Sequence, residues 1–166
     1  MTRSPVVKPD LLPMSTQTHG ETFAARFAAI AAPQGATHLG ARIVEVPPGK
    51  KAWPRHSHHA NDEIFMILSG QGLLRFGDKV YPIEAGDVAV CPAGGAETAH
   101  QLQALGDQPL RYVAVSSMRE PDVLEYPDSG KIGVLAGAAP GGDKTKRRIA
   151  VSLRATSEVD YWDGEI

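Results

Sequence analysis

The sequence predicts an all-β sandwich or barrel, and two observations carry that prediction. From Thr37 onward the chain runs as short β-type segments separated by turn residues, at the close spacing typical of such folds. Its 166 residues and 42% hydrophobic content also suit one domain with a real core better than two small ones.

Taken in order, residues 1 to about 20 carry Pro5, Pro9 and Pro13 among several Ser and Thr, and read as an extended arm, either disordered or laid against a partner. In Glu21 to Ile30 the apolar Phe23, Phe27 and Ile30 recur at i, i+4 and i+7 with alanines between, which predicts a short helix over one side of the core. The strands follow. Leu39 to Val46 ends at Pro47-Pro48-Gly49, Ile64 to Leu68 at Ser69-Gly70-Gln71-Gly72, and Leu73 to Phe76 at Gly77-Asp78. Val80 to Ile83 ends at Ala85-Gly86-Asp87, and Val88 to Cys91 and Leu110 to Ser116 continue the series. Beyond Ser117 the pattern changes: Pro121 to Lys131 reads as a loop, Ile132 to Leu135 as a short strand, residues 136 to 148 as a flexible surface excursion, and Ile149 to Leu153 as another strand. Tyr161 and Trp162 near the end are expected to dock on the barrel or on a second subunit. The resulting division is an arm and helix over 1–36, a barrel core over 37–118 and a C-terminal extension over 119–166.

The run Pro54 to Gly70 holds the chemistry. In an extended segment His56 and His58 share one face, so two imidazoles can meet at one point. The residues between His58 and Glu63 are enough for a tight bend that returns a carboxylate toward that point from the next strand. Two histidines and one carboxylate would cap one side of a metal and leave positions open for water or substrate. By the same alternation His59 faces away, as a solvated group or one behind the ligands. His19 and His38 have no ligand-like neighbour and read as structural or exposed. Asp128, Ser129 and Lys131 could meet an anion, but Pro127-Asp128-Ser129-Gly130 reads first as an ordinary turn.

These residues resemble the cupin family. Gly49, His56, His58, Glu63 and Gly70 match its first motif, with a spacer after Gly49 one residue longer than usual. Gly86, Pro92 and Gly94 match the start of its second. That second motif then departs from pattern: Glu97 stands where a histidine is expected, His100 comes only three residues later, and Ala104 occupies the position that is often Asn. The resemblance, good over about residues 37 to 118, implies a double-stranded β-helix, or jelly-roll barrel. It also makes His100 the preferred fourth ligand beside His56, His58 and Glu63, with Glu97 as rival. It implies one divalent transition metal, Fe, Mn, Ni or Zn, which affinity alone would not choose among. The segment after Ser117 is similar to one in uncharacterised bacterial cupins likened to sugar phosphate isomerases.

Composition narrows the partners. The 17 Lys and Arg against 19 Asp and Glu leave a formal charge of -2, with no footprint for nucleic acid or anionic lipid. Cys91, the one cysteine, sits in an apolar run and reads as a small buried hydrophobe. The start lacks an apolar stretch of signal-peptide length, and no run of eighteen apolar residues occurs, so a cytoplasmic location away from membranes is expected. A homodimer is expected from exposed barrel edges. No internal repeat, phosphate-binding glycine loop or serine nucleophile motif is present.

Three functions remain open on a fold that hosts many chemistries. The first is metal-assisted isomerisation of a small polar, sugar-like substrate, possible sugar phosphates included, with Glu97, Tyr112 and Lys131 as candidate acid, base or donor groups and Glu97 and Tyr112 as the two catalytic choices. The others are an Fe(II) oxygenase and a non-catalytic small-molecule sensor.

Overall fold

Strand pairing organises the chain from Ser15 to Arg154. The computed structural model describes residues 4–166, so the first three residues of the expected arm lie outside the described residues. The strands in chain order are β1 (Ser15–His19), β2 (Phe23–Ala29), β3 (Leu39–Val46), β4 (Ser57–His58), β5 (Glu63–Ser69), β6 (Gln71–Phe76), β7 (Lys79–Glu84), β8 (Val88–Cys91), β9 (His100–Leu105), β10 (Leu110–Ser117), β11 (Asp122–Tyr126), β12 (Lys131–Ala136) and β13 (Ile149–Arg154).

The helix expected over Glu21 to Ile30 is a strand instead. Positions i and i+4 share a face in a strand as well as in a helix, so Phe23 and Phe27 satisfy both periods; only Ile30, at an odd offset, favoured the helix. Tertiary pairing decides between them. β2 pairs antiparallel with both β1 and β3, Ala25 is fully buried, and Arg26 forms a 2.9 Å ion pair with its cross-strand neighbour Glu45. The last part of the arm is likewise ordered, as the exposed edge strand β1.

A six-stranded sheet runs β1-β2-β3-β10-β5-β8, and two smaller sheets run β7-β6-β9 and β13-β12-β11-β4. The smaller two are joined by an antiparallel bridge between His56 and His100, whose backbones exchange hydrogen bonds of 3.1 and 2.8 Å. The result is a jelly-roll barrel. Its core lies between the large sheet, through Val44, Phe65 and Tyr112, and the opposing strands, through Leu74 and Leu102.

Along β5 the alternation is clean: Glu63, Phe65 and Ile67 are buried while Ile64, Met66 and Leu68 face out. One turn glycine fixes where this strand ends. Gly70 has φ 82°, and a Cβ there would run into the Pro109 carbonyl, so only glycine fits both the left-handed backbone and the close approach.

The C-terminal aromatics do not dock on the barrel. Tyr161 and Trp162 touch each other at 4.8 Å yet are 84% and 70% exposed. No helix among the described residues is long and apolar enough to cross a membrane.

Candidate metal centre

Each element delivers its side chain to one point for a local reason. The two histidines flank Ser57, so alternation puts both rings on one side of the chain, with centroids 4.9 Å apart. His100 is the bridge partner of His56, and directly opposed residues of a bridge share a face; the rings are 5.1 Å apart. Glu63 comes from the facing sheet as the first inward residue of β5. Its Oε2 lies 2.8 Å from His100 Nε2 and 3.6 Å from His58 Nε2. Ligand-type atoms of His56, His58 and Glu63 all fall within 4.8 Å of one another.

The bend between His58 and Glu63 is pinned from below. Asn61 donates to the Arg119 carbonyl and accepts from the Arg119 backbone N–H and the Ser117 hydroxyl, while Ala60 N–H donates to Asp122 Oδ1. Asp122 is fully buried, and its other oxygen sits 2.7 Å from His58 Nδ1.

Whether these residues fit a metal can be tested on the far side of each ring. His56 Nδ1 lies 2.8 Å from the Pro54 carbonyl and His100 Nδ1 lies 3.2 Å from the Thr98 carbonyl. A carbonyl only accepts, so both Nδ1 atoms carry hydrogen, and Asp122 holds His58 in the same tautomer. Every ring therefore turns Nε2 inward. The 2.8 Å contact between His100 Nε2 and the Glu63 carboxylate marks the place where a cation would bind. Burial, then the neighbouring rings of His100 and His58, push His56 down to about 3, so it is neutral with a free lone pair near pH 7. Burial opposes charge on Glu63, but the His100 hydrogen bond and the surrounding imidazoles outweigh it and draw the carboxyl down to about 2. Three imidazole nitrogens and one ionised carboxylate fit a divalent transition metal.

The cluster lines a cavity of about 190 Å³ that also exposes Arg42, Trp53, Tyr112 and Tyr126. Tyr126 stacks on His56, rings 6.0 Å apart and 22° from parallel. Tyr112 is fully buried and its hydroxyl has no partner among the described residues. Burial raises its pKa well above the ordinary phenol value, Arg42 offsetting part of the shift and Glu63 adding to it, so the group is a donor at neutral pH.

Of the residues singled out in the sequence, His56, His58, Glu63, His100 and Tyr112 come together here. Glu97 does not join them. It sits exposed on the turn Ala96–Thr98, accepts from the Gly95 N–H at 2.9 Å, and stays outside the cavity lining. His59 points away and pairs with Glu125 at 2.7 Å. His19 and His38 lie exposed and apart from the cluster. Asp128 is in a turn, paired with Arg55 at 2.9 Å and Arg75 at 2.8 Å, and Lys131 lies 5.1 Å over the Tyr126 ring. Cys91 is buried, and desolvation followed by the Glu63 charge pushes its thiol up to about 12, which makes it inert. Sequence reading missed Asp122, Asn61 and Arg42. Asp122 fell in a stretch read as loop, and nothing local signals that an acid beside a proline will be buried behind a histidine some sixty residues earlier.

A jelly-roll barrel with a His and Glu cluster facing its interior defines a class of small β-barrel proteins with an internal site. The chain belongs to the cupin family: the cupin domain model matches residues 42–116. An oxalate-binding protein of Thermotoga maritima is 30% identical over 113 residues, 68% of this chain and 89% of that protein. An uncharacterised protein of Methanocaldococcus jannaschii is 30% identical over 84 residues, and the match spans 48% of this chain and 64% of that one, slightly less than two thirds of its length. Among solved structures, a candidate sugar phosphate isomerase of Acidithiobacillus ferrooxidans superposes with a TM-score of 0.77 at 20% identity, covering 96% of this chain and 98% of that one. At that identity the likeness is one of fold.

Proposed function

We propose that the protein is a metal-binding cupin, with His56, His58, Glu63 and His100 as ligands, that isomerises a small polar, sugar-like substrate. The observation that carries the metal reading is the set of three imidazoles, each anchored through Nδ1 to an oxygen and turned through Nε2 toward one buried carboxylate. A metal held there would polarise a carbonyl or lower the pKa of a bound hydroxyl. The sugar-like class is supported by the ligand set and by the Acidithiobacillus neighbour, whose chain is matched nearly end to end.

The protein's own groups account for the rest. Trp53, Tyr126 and Phe65 wall the cavity and limit its water. The Tyr112 hydroxyl, buried and unpartnered, donates to a substrate oxygen. Glu97 stands outside, and its role is confined to the rim turn beside His59 and Glu125. A binding protein without turnover is the second reading, favoured by the oxalate-binding relative, and an Fe(II) oxygenase is the third.

The test is elemental analysis of purified protein, then a thermal-shift screen of aldoses, ketoses, their phosphates and small dicarboxylates, with turnover assayed for each hit. Interconversion of an aldose and a ketose that ends on chelation supports isomerisation. Tight binding with no turnover would leave the binding reading, and oxygen consumption would leave the oxygenase. We also propose that the chain forms a homodimer through exposed barrel strands.

A further inference from the structure

We propose that Arg42 recognises an anionic group, a carboxylate or phosphate, on the small molecule that occupies the cavity, with the Tyr112 hydroxyl as a second donor. The proposal rests on the reading of this cavity as the ligand site and narrows the class of ligand.

Arg42 lies on β3 at the register of Ala114 on β10 and Ala29 on β2. Alternation puts it on the same face as Val44, a core residue, and its side chain lines the cavity that holds the His and Glu cluster. It also lines a second cavity of about 370 Å³ beneath β1 and the 140–144 segment, so it stands where the two meet.

The arginines on the two neighbouring strands are neutralised, Arg26 by Glu45 and Arg111 by Asp10, and so is Arg75 on β6, by Asp128. Arg42 has no hydrogen bond or ion pair among the described residues. Both of its cross-strand neighbours are alanines, which offer no side-chain acceptor. It is held instead by aromatic faces, its guanidinium carbon 5.3 Å from the Trp53 ring and 6.0 Å from the Phe27 ring. Those rings fix the position of the cation without using its N–H groups. What remains is a planar fork of donors, half-buried and unmatched, in the wall of a ligand-sized space. A guanidinium so placed is costly unless an acceptor completes it, and carboxylate and phosphate are the groups that match its fork.

Tyr112 strengthens the argument from a second direction. Its register partner is Val44, so it is the diagonal neighbour of Arg42 on the same inner face, with side chains starting roughly 7–8 Å apart. Its buried hydroxyl also lacks a partner among the described residues. Two unmatched donors on adjacent strands thus face one space, across from the histidines. A small molecule with an anion at one end and a carbonyl or hydroxyl at the other can span the two.

Isothermal titration of the full-length protein, as purified and after chelation, tests this with malonate, inorganic phosphate and neutral malonamide as probes. Wild type is expected to bind at least one of the anions, and the better one separates a carboxylate from a phosphate source. Arg42→Gln should weaken that anion by about tenfold or more, Arg42→Lys by less, with malonamide unaffected and metal content unchanged. Arg42→Lys keeps the cation, so a loss of bidentate affinity still reads out if Arg42→Gln fails to fold. Wild type that binds neither anion, or variants that bind both as tightly as wild type, would overturn the proposal. If no metal is found yet the chelated protein binds anion through Arg42, only the metal reading falls. A metal-loaded protein whose anion binding ignores Arg42 would overturn this proposal alone.

Discussion

Asp122 shows how much of a site can hang on one residue behind it. It is fully buried, and although burial opposes its charge, the hydrogen bond and charge of His58, with the Ala60 N–H and Asn61, hold its pKa below the ordinary carboxylate range. An ionised partner on Nδ1 orients the ring and makes Nε2 a better donor to a cation. Asp122→Asn should therefore weaken metal binding about 10–100-fold, read by competition with a coloured chelator, although no proposed ligand is touched. Within the cluster itself, His100→Ala should lower metal content, whereas Glu97→Gln, outside it, should leave it unchanged. The reverse pattern would show that the second motif ends at Glu97. Tyr112→Phe keeps the ring and removes a buried hydroxyl with no partner, so thermal stability should hold or rise slightly while ligand affinity falls. A large loss of stability would mean that the hydroxyl has an internal role.

At the scale of elements, the strands were legible wherever alternation met a turn glycine, as along β5 and its end at Gly70. Gly70→Ala should cost about 1–3 kcal/mol or more in denaturant unfolding, because it meets both a left-handed φ and the Pro109 carbonyl. Two inner strands were illegible for physical reasons. β9, with its polar His100, Gln101 and Gln103, buries its glutamine and histidine through hydrogen bonds to Trp53, Thr98 and Glu63 that no local pattern announces. β11 begins at an acid after a proline, and its strand character comes from pairing with β4 and β12. β2 was misread because its apolar spacing suits both periods. Three of the cluster residues, His56, His58 and Glu63, were legible because their spacing is local on the first motif; His100 came only through the family resemblance, and the support of all four comes from distant chain. The turn after β11 is tied back by Asp128, whose pKa is lowered by hydrogen bonds from Arg75 and then Arg55, partly against burial. A depressed folded-state pKa adds stability above the unfolded value and loses it as pH falls through the folded one. Asp128→Asn should thus be less stable than wild type at pH 7, and the gap in thermal midpoint should close as the pH drops below the carboxylate range. A gap independent of pH would rule out the ion pair as its source.

For the molecule as a whole, the barrel covers its inner face but leaves an apolar outer one. Ile64, Met66, Val88 and Val90 lie on paired positions of β5 and the edge strand β8, and Val88 and Val90 are 60% and 61% exposed. A second copy set against this face would hide it together with the open edge. Sedimentation should then find a species near twice 17.7 kDa, and Val88→Lys with Val90→Lys, both pointing outward, should shift it toward the monomer without unfolding it. Wild type that sediments as a monomer at all concentrations would contradict the dimer and leave the interior site as it stands. That site is the central claim, and metal counting tests it most directly. Elemental analysis of protein grown with Fe, Mn, Ni and Zn supplied should find about one transition metal ion per wild-type chain and a sharp loss in His58→Ala, since the remaining ligands cannot complete the shell. A His58→Ala protein as fully loaded as wild type, or a folded wild type that takes up no metal, would contradict the account.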